Sequence, residues 1–154
     1  MQSKTQTTPS FWRILDTDYI ATFCAVAIVT LWGLYVVFKI LSWNFRDEQF
    51  YLMFGAGITL VSLILIIYRY FILRRLFQVG EPARGKVLKS SFYRDRGRVV
   101  VEYSIKGEKD KRRSTTHLHT NRRTRAIHEG DWVTLVVDPA SPGKTVIREA
   151  YLDQ

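Results

Sequence analysis

Apolar residues are concentrated in the first half of the chain, in two long runs separated by a short polar segment. The first run, Tyr19–Leu41, has 23 residues and one charge, Lys39, near its end. The second run, Phe50–Leu73, is apolar until Arg69, about one helical turn before its end. At a rise of about 1.5 Å per residue, either run can cross a hydrocarbon core of about 30 Å as a helix. The pattern predicts a hairpin of two transmembrane helices over residues 19–73.

The two charges inside these runs need no function within the membrane. Lys39 and Arg69 lie close to the ends of the runs, where a long side chain can reach the headgroup region. We therefore interpret both as interfacial anchors. Aromatic residues, which favour the membrane–water boundary, also cluster at the predicted span ends: Phe11, Trp12, Tyr19, Trp43, Phe45, Tyr51, Tyr68 and Tyr70.

Residues 1–18 are predicted to form a polar N-terminal tail with a short interfacial segment. Ser10 is a residue type that caps helices. It precedes a turn that carries apolar side chains suited to a membrane surface: Phe11, Trp12, Ile14 and Leu15.

Small residues recur at helical spacing in both runs. Ala21 and Ala25 form a small-xxx-small pair in the first run, and Gly55, Thr59 and Ser62 share one face of the second. Small residues let helix backbones approach closely in lipid. We expect these faces to pack within the hairpin, with docking against a partner helix as the alternative.

The second half of the chain changes to short alternating segments. Gly80, Pro82 and Gly85 interrupt the helical pattern, which predicts a linker over residues 74–84. Five strands with frequent turns then predict an all-β domain over residues 85–154, a small antiparallel barrel of the SH3 or OB type. The predicted strands are Gly85–Phe92, Arg98–Ile105, Arg113–Thr120, Asp131–Asp138 and Thr145–Glu149.

Composition and charge support this division. The mean hydropathy of −0.07 would suit a soluble domain, but it averages two unlike halves. Of the net charge of +9, residues 1–73 carry +1 and residues 74–154 carry +8. Because basic residues favour the cytoplasmic side of a membrane, we expect both termini in the cytoplasm and the short loop outside.

Several motifs in the β domain resemble those of a known kind of protein. They are Gly85-x-Val87, then Val101-x-Tyr103-x-x-x-Gly107, then a longer motif. The longer motif contains Gly130, Asp131, Val133, Asp138, Pro139 and Pro142. Together they resemble a bacterial family of unknown function whose members carry a small β domain beside a transmembrane hairpin. The resemblance, over roughly residues 50–150, implies that architecture and a bacterial inner membrane, and it implies no catalytic residues.

The sequence offers little chemistry for catalysis. His117 and His119 would share a face of a strand, but no cysteine lies near them, and Cys24 is inside the first apolar run. Motifs of nucleophilic hydrolases, zinc proteases and phosphate-binding glycine loops are absent from the sequence. We therefore expect a non-enzymatic protein without a metal or cofactor.

The most unusual segment is Lys109–Arg125, which has seven basic residues and one acid in 17 positions. Such a segment can contact anionic headgroups or an acidic protein partner. It lacks the aromatic residues that stack on bases, which disfavours nucleic acid. A solvated basic face is the simplest interpretation. The candidate binding residues are Lys109, Lys111, Arg112, Arg113, Arg122, Arg123 and Arg125.

These observations lead to two functional hypotheses. The first is an accessory or scaffolding subunit of the inner membrane, which docks into a larger assembly and contacts membrane lipids and membrane protein partners. The alternative is a sensor whose β domain binds an anionic ligand, either a nucleotide or a lipid headgroup. Its expected contacts are Arg94, Arg98, Arg122, Arg123 and Arg125.

Overall fold

The computed structural model describes residues 8–41, 48–104 and 111–152. Two long apolar helices are followed by an antiparallel five-stranded sheet that is curved into a nearly closed barrel, as predicted. In chain order the elements are α1 (Phe11–Thr17), α2 (Tyr19–Ile40), α3 (Glu48–Val79), β1 (Glu81–Tyr93), β2 (Arg96–Tyr103), β3 (Arg112–His119), β4 (Trp132–Asp138), β5 (Ser141–Ile147) and α4 (Arg148–Tyr151).

Helices α2 and α3 lie side by side and antiparallel. The Lys39 ammonium contacts Glu48 Oε1 at 2.6 Å at one end of the pair, and Arg69 pairs with Asp18 near the other. α2 begins at Tyr19 because the Asp18 side chain caps it. Because the helices form a hairpin, α1 and the barrel are at the same end of it, which we call the barrel end.

Helix α3 is longer than the second apolar run, and this corrects the predicted linker. It has 32 residues, or about 48 Å, and continues through residues 74–79. Residues 81–84 already belong to β1, so only Gly80 separates the helix from the strand. A Cβ at Gly80 would collide with the carbonyl of Leu76 and with Val136, and only glycine permits this tight junction.

The barrel is closed by a bend in β1. The sheet order is β3-β2-β1-β4-β5. The first part of β1, Glu81–Lys86, pairs with β4, and Gly85–Tyr93 pairs with β2 across a register shift at Leu88. An extra residue of this kind bends a strand and allows closure. The edge strands β3 and β5 meet where Thr145 Oγ1 donates to Ser114 Oγ at 2.6 Å.

The interior of the barrel follows the alternation in the sequence. Val99, Val101 and Tyr103, alternate residues of β2, are almost completely buried. Ile105, the next residue in this alternation, lies outside the described residues. The core also includes side chains from outside the sheet: Ile14 of α1, Leu73 and Phe77 of α3, and Tyr151 of α4. The N-terminal segment and the end of α3 therefore complete the barrel core.

The last predicted strand, Thr145–Glu149, was wrong in its limits. β5 runs from Ser141 to Ile147, and the chain then forms the short helix α4. Ser141 and Gly143, which precede the predicted strand, belong to β5. The turn is Pro139-Ala140, where the backbone N–H of Ala140 donates to Asp138 Oδ1 at 2.9 Å. Proline is tolerated at position 142 because β5 is an edge strand.

Candidate functional site

The junction between the hairpin and the barrel is built around a buried ion pair. Asp18 stands between α1 and α2, and its side chain is 1% exposed. Its two carboxylate oxygens accept hydrogen bonds from Nε and Nη2 of Arg69 in α3. Asp18 Oδ1 also accepts from the backbone N–H of Ala21 at 3.0 Å. Arg69 therefore holds two helices together, a role that its interpretation as an interfacial anchor did not include.

Other polar contacts attach α1 and the start of α2 to the β domain. Asp18 forms an isolated β-bridge with Leu118 of β3. The hydroxyl of Thr17 donates to the carbonyl of Ala150 at 3.4 Å. Asn121, after β3, donates to the Asp16 carboxylate at 3.0 Å. Burial raises the pKa of the nearby Tyr151 hydroxyl. The predicted turn capped by Ser10 is present as α1, and these contacts attach it to the β domain, which the sequence did not predict.

A cleft of about 410 Å³ lies between the first turns of α2 and the tip of the β1–β2 hairpin. Its helix wall includes Tyr19, Phe23 and Val26. Its other wall is the hairpin tip, residues 93–96, together with His119. Arg96 Nε donates to the Tyr19 hydroxyl, and the Arg96 guanidinium stacks on the Tyr19 ring, 4.9 Å from its centroid. The cleft is apolar on one wall and cationic on the other. We call it the hairpin cleft.

A second cleft, of about 750 Å³, lies at the seam between the two sheet edges, β3 and β5, where α3 passes. Its lining includes Arg69, Arg75 and Lys144, and also the acidic Asp18 and Asp138. The hydroxyl of Thr116, which also lines it, is buried and has no hydrogen-bond partner among the described residues. This seam cleft carries mixed charges, and its most buried cation is already paired with Asp18.

The structure divides the basic segment Lys109–Arg125 into two groups. Lys111, Arg112 and Arg113 are at the start of β3, and Lys109 lies outside the described residues. Arg122, Arg123 and Arg125 follow the end of β3, beside α1. An eight-residue strand separates the groups by about 23 Å. The second group is the one that lies beside α1.

The first basic group is partly neutralised by Glu102 of β2. Lys111 Nζ contacts Glu102 Oε1 at 3.0 Å, and Arg113 Nε lies 3.7 Å from Oε2. The hydrogen bond from Lys111, with the nearby charge of Arg113, lowers the pKa of Glu102. This group is therefore less available to an anionic partner than the sequence suggests.

The histidines do not form a recognisable metal centre. His117 and His119 are on β3, opposite Arg98 and Arg96 of β2, so cationic side chains are their cross-strand neighbours. Among residues 8–41, 48–104 and 111–152, no group of three His, Cys, Asp or Glu could hold a metal ion.

The predicted small-residue faces lie along the hairpin. Ala21, Gly55 and Ser62 are buried, and Ala25 and Thr59 are half-buried. A Cβ at Gly55 would come within 2.9 Å of Leu31 of α2. Across the same contact, Trp32 Nε1 donates to Thr59 Oγ1 at 2.9 Å. Gly55 and Thr59 thus contact the other helix of the hairpin.

Sequence reasoning missed the grouping of Arg94, Arg96, Tyr19 and Phe23 around the hairpin cleft. The predicted strands imply a turn between Phe92 and Arg98, but nothing in the sequence indicates that this turn lies beside α2. The pairing of Asp18 with Arg69 was also missed. Two opposite charges at the facing ends of two apolar runs are the signal that could have suggested it.

The fold and its junction define a two-helix apolar hairpin that shares a hydrophobic core with a small β barrel, with two clefts where the helices meet the barrel. Both long helices are long and apolar enough to cross a membrane. No protein-family model, curated protein or solved structure matches the chain.

Proposed function

We propose that this chain is a non-enzymatic accessory subunit of a bacterial inner membrane. α2 and α3 would span the bilayer, with α1 and the barrel held against its cytoplasmic surface. The bacterial location rests on the family resemblance of the β-domain motifs, and the orientation rests on the positive-inside rule.

One observation carries the proposal: large apolar side chains are exposed along both long helices. In the described part of the β domain, those that remain exposed are Tyr93 and Trp132. On the helices the exposed set includes Phe23, Val26, Val29, Val36, Ile40, Phe50, Met53, Phe54, Leu60, Ile64, Ile67 and Phe71. Water would not favour so large an apolar surface on a small protein, and lipid or partner helices would cover it.

The dimensions of the hairpin agree with this proposal. The distance along α3 from Glu48 to Arg69 is about 32 Å, close to the thickness of a hydrocarbon core. Lys39 and Glu48 would mark the outer boundary, and Asp18 and Arg69 the inner one. The rest of α3 would project into the cytoplasm and pack on the barrel.

A scaffolding role follows from the rigid junction. Because Ile14, Leu73 and Phe77 belong to the barrel core, the barrel cannot move freely relative to the helices. A partner that contacts both the barrel and the helices would therefore bind a surface whose two parts keep the same relative position. Gly33 of α2 is exposed, and nothing lies within 4 Å of the position that a Cβ would occupy. A partner helix could therefore approach closely there.

The test is affinity purification of the full chain from native membranes in mild detergent. We expect resistance to carbonate extraction and a stoichiometric membrane protein partner. Gly33→Leu should reduce recovery of that partner, and Val36→Leu, a matched change at an exposed site of the same helix, should not. Extraction by carbonate would overturn membrane anchoring, and a monomer without partners would overturn the accessory role.

The sensor is the second candidate, because four of its five proposed arginines lie outside the strands and close to α1 or α2. These are Arg94 in the β1–β2 turn and Arg122, Arg123 and Arg125 after β3, whereas Arg98 lies within β2. Thermal unfolding of the full chain with a panel of anionic nucleotides tests this hypothesis, since a ligand that binds the folded state stabilises it. The absence of any shift would contradict a nucleotide as the ligand of this sensor.

A further inference from the structure

We infer that the hairpin cleft binds the phosphate headgroup of an anionic phospholipid. This inference rests on the proposed insertion of α2 and α3 in a membrane. The three steps of the argument concern the depth of the cleft, the chemistry of its walls and the backbone at Arg94.

The cleft begins at Tyr19, next to the proposed inner boundary of the membrane, and extends along the first turns of α2, where acyl chains would begin. Its helix wall extends from Tyr19 to Val26, about 10 Å along α2 from its first residue. Phe23 and Val26 are 61% and 57% exposed, and in a bilayer they would face acyl chains. The tip of the β1–β2 hairpin would therefore reach the interfacial layer beside a spanning helix.

The walls of the cleft suit a phospholipid better than a soluble anion, because they combine cationic and apolar side chains. Arg94 and Arg96 supply two guanidinium groups, with His119 beside them and Asp95 as the acidic residue of the lining. A guanidinium group can donate two parallel hydrogen bonds to two oxygens of one phosphate. Tyr19 and Tyr93 supply the aromatic rings that favour the interface. If the phosphate of a phospholipid lies beside Arg94 and Arg96, its acyl chains would contact Phe23.

The backbone at Arg94 adds a further reason. Arg94 is the first residue of the two-residue turn between β1 and β2, and its φ is +52°. Glycine and asparagine adopt this left-handed conformation more readily than arginine. Arginine here carries a conformational cost, which a function for its side chain would explain. The Arg94 guanidinium extends over the Tyr93 ring, 5.4 Å from its centroid, and both residues line the cleft.

This backbone makes Arg94→Gly a discriminating variant. Glycine suits the turn, so the variant should fold at least as well as the wild type in the absence of lipid. The full chain in neutral detergent is titrated with phosphatidylglycerol or with phosphatidylcholine, and bound lipid is counted by native mass spectrometry. We expect a preference for phosphatidylglycerol, and an affinity lower by about fivefold in Arg94→Gly. Phe23→Ala should also weaken retention, through the acyl contact.

The matched control is Lys86→Gln, which removes one positive charge from an exposed position of β1 far from the cleft. Equal losses in Lys86→Gln and Arg94→Gly would overturn the site, because they would indicate attraction by net charge alone. Competition by glycerol 3-phosphate as effective as that of the lipid would assign the cleft to a soluble phosphate ester and overturn the lipid assignment. No preference between the two lipids, in a protein that resists carbonate extraction, would overturn this inference and leave membrane anchoring intact.

Discussion

The carboxylate of Asp18 is shared between the first turn of α2, which it caps, and the guanidinium of Arg69 in α3. The cap is a hydrogen bond from Ala21 N at 3.0 Å, and both oxygens of the carboxylate accept from Arg69. One buried side chain thus fixes the start of one long helix and the position of the other. It does so where the hairpin meets the barrel.

Substitution of Asp18 should weaken this junction strongly. Asp18→Ala removes the cap and leaves the half-buried charge of Arg69 without its partner, so we expect a loss of about 3–5 kcal/mol. Thermal unfolding of the full chain in detergent, followed by circular dichroism, measures the effect.

Two further variants separate the cap from the charge. Asp18→Asn keeps an oxygen that can cap α2, so it should lose less stability than Asp18→Ala. The double variant Asp18→Asn with Arg69→Gln removes both charges and should recover part of the loss, because no unpaired charge remains. An unfolding temperature of Asp18→Ala equal to that of the wild type would contradict the assignment.

The barrel should not fold independently of the helices. An isolated fragment, residues 80–154, lacks Ile14, Leu73 and Phe77, which are buried in the barrel core. Loss of one buried Leu, Ile or Phe side chain typically lowers the free energy of unfolding by about 2–5 kcal/mol. The loss from all three should therefore exceed the whole free energy of unfolding of a small domain. We expect dispersed amide resonances from the full chain in detergent and collapsed ones from the fragment. If the fragment unfolds cooperatively, the barrel folds without the helices, and the prediction is contradicted.

Glu102 gives a pH-dependent prediction at the opposite end of β3 from the helices. The hydrogen bond from Lys111 and the nearby Arg113 lower the pKa of Glu102 from its ordinary value near 4.5. The ionised form therefore stabilises the fold at pH values above 4.5, and this contribution is lost as the pH falls through the lower folded pKa. Glu102→Gln should be slightly less stable than the wild type near neutral pH and equal to it in acid.

The comparison requires unfolding temperatures of both proteins between about pH 7 and about pH 3. Added salt should reduce the difference at neutral pH, because exposed ion pairs are screened. A difference that stays constant over this pH range would show that the Glu102 carboxylate has no role in it.

The helices and strands were predictable because their signals are local. Two apolar runs of membrane length and a series of short alternating segments indicate the same elements wherever they pack. Val99, Val101 and Tyr103 show the rule: their alternation alone placed them on one face, and all three are buried. The least accurate limits were those at Gly80 and Ser141, where a breaker residue is accommodated by tertiary packing or by an edge strand.

The junction was not predictable because its contacts join distant parts of the chain. Asp18 and Arg69 are 51 residues apart, and Arg96 and Tyr19 are 77 apart. No periodic pattern encodes such a pair. The basic segment shows the converse, because residues close in the sequence are far apart in the structure. Arg113 and Arg122 lie at opposite ends of β3, so the single basic segment forms two separate groups.

The final prediction concerns close packing between α2 and α3 at Gly55. A Cβ there would lie 2.9 Å from Leu31 Cδ2 and 3.8 Å from the Trp32 ring. Gly55→Leu would push the helices apart and strain the hydrogen bond from Trp32 to Thr59, so we expect a loss of about 1–3 kcal/mol. Gly57→Leu is the matched control, since nothing lies within 4 Å of a Cβ at Gly57. In detergent, Gly55→Leu should lower the unfolding temperature and shift tryptophan fluorescence, whereas Gly57→Leu should leave both close to the wild-type values. If both variants lose the same stability, the effect belongs to leucine in the helix and not to the contact between α2 and α3.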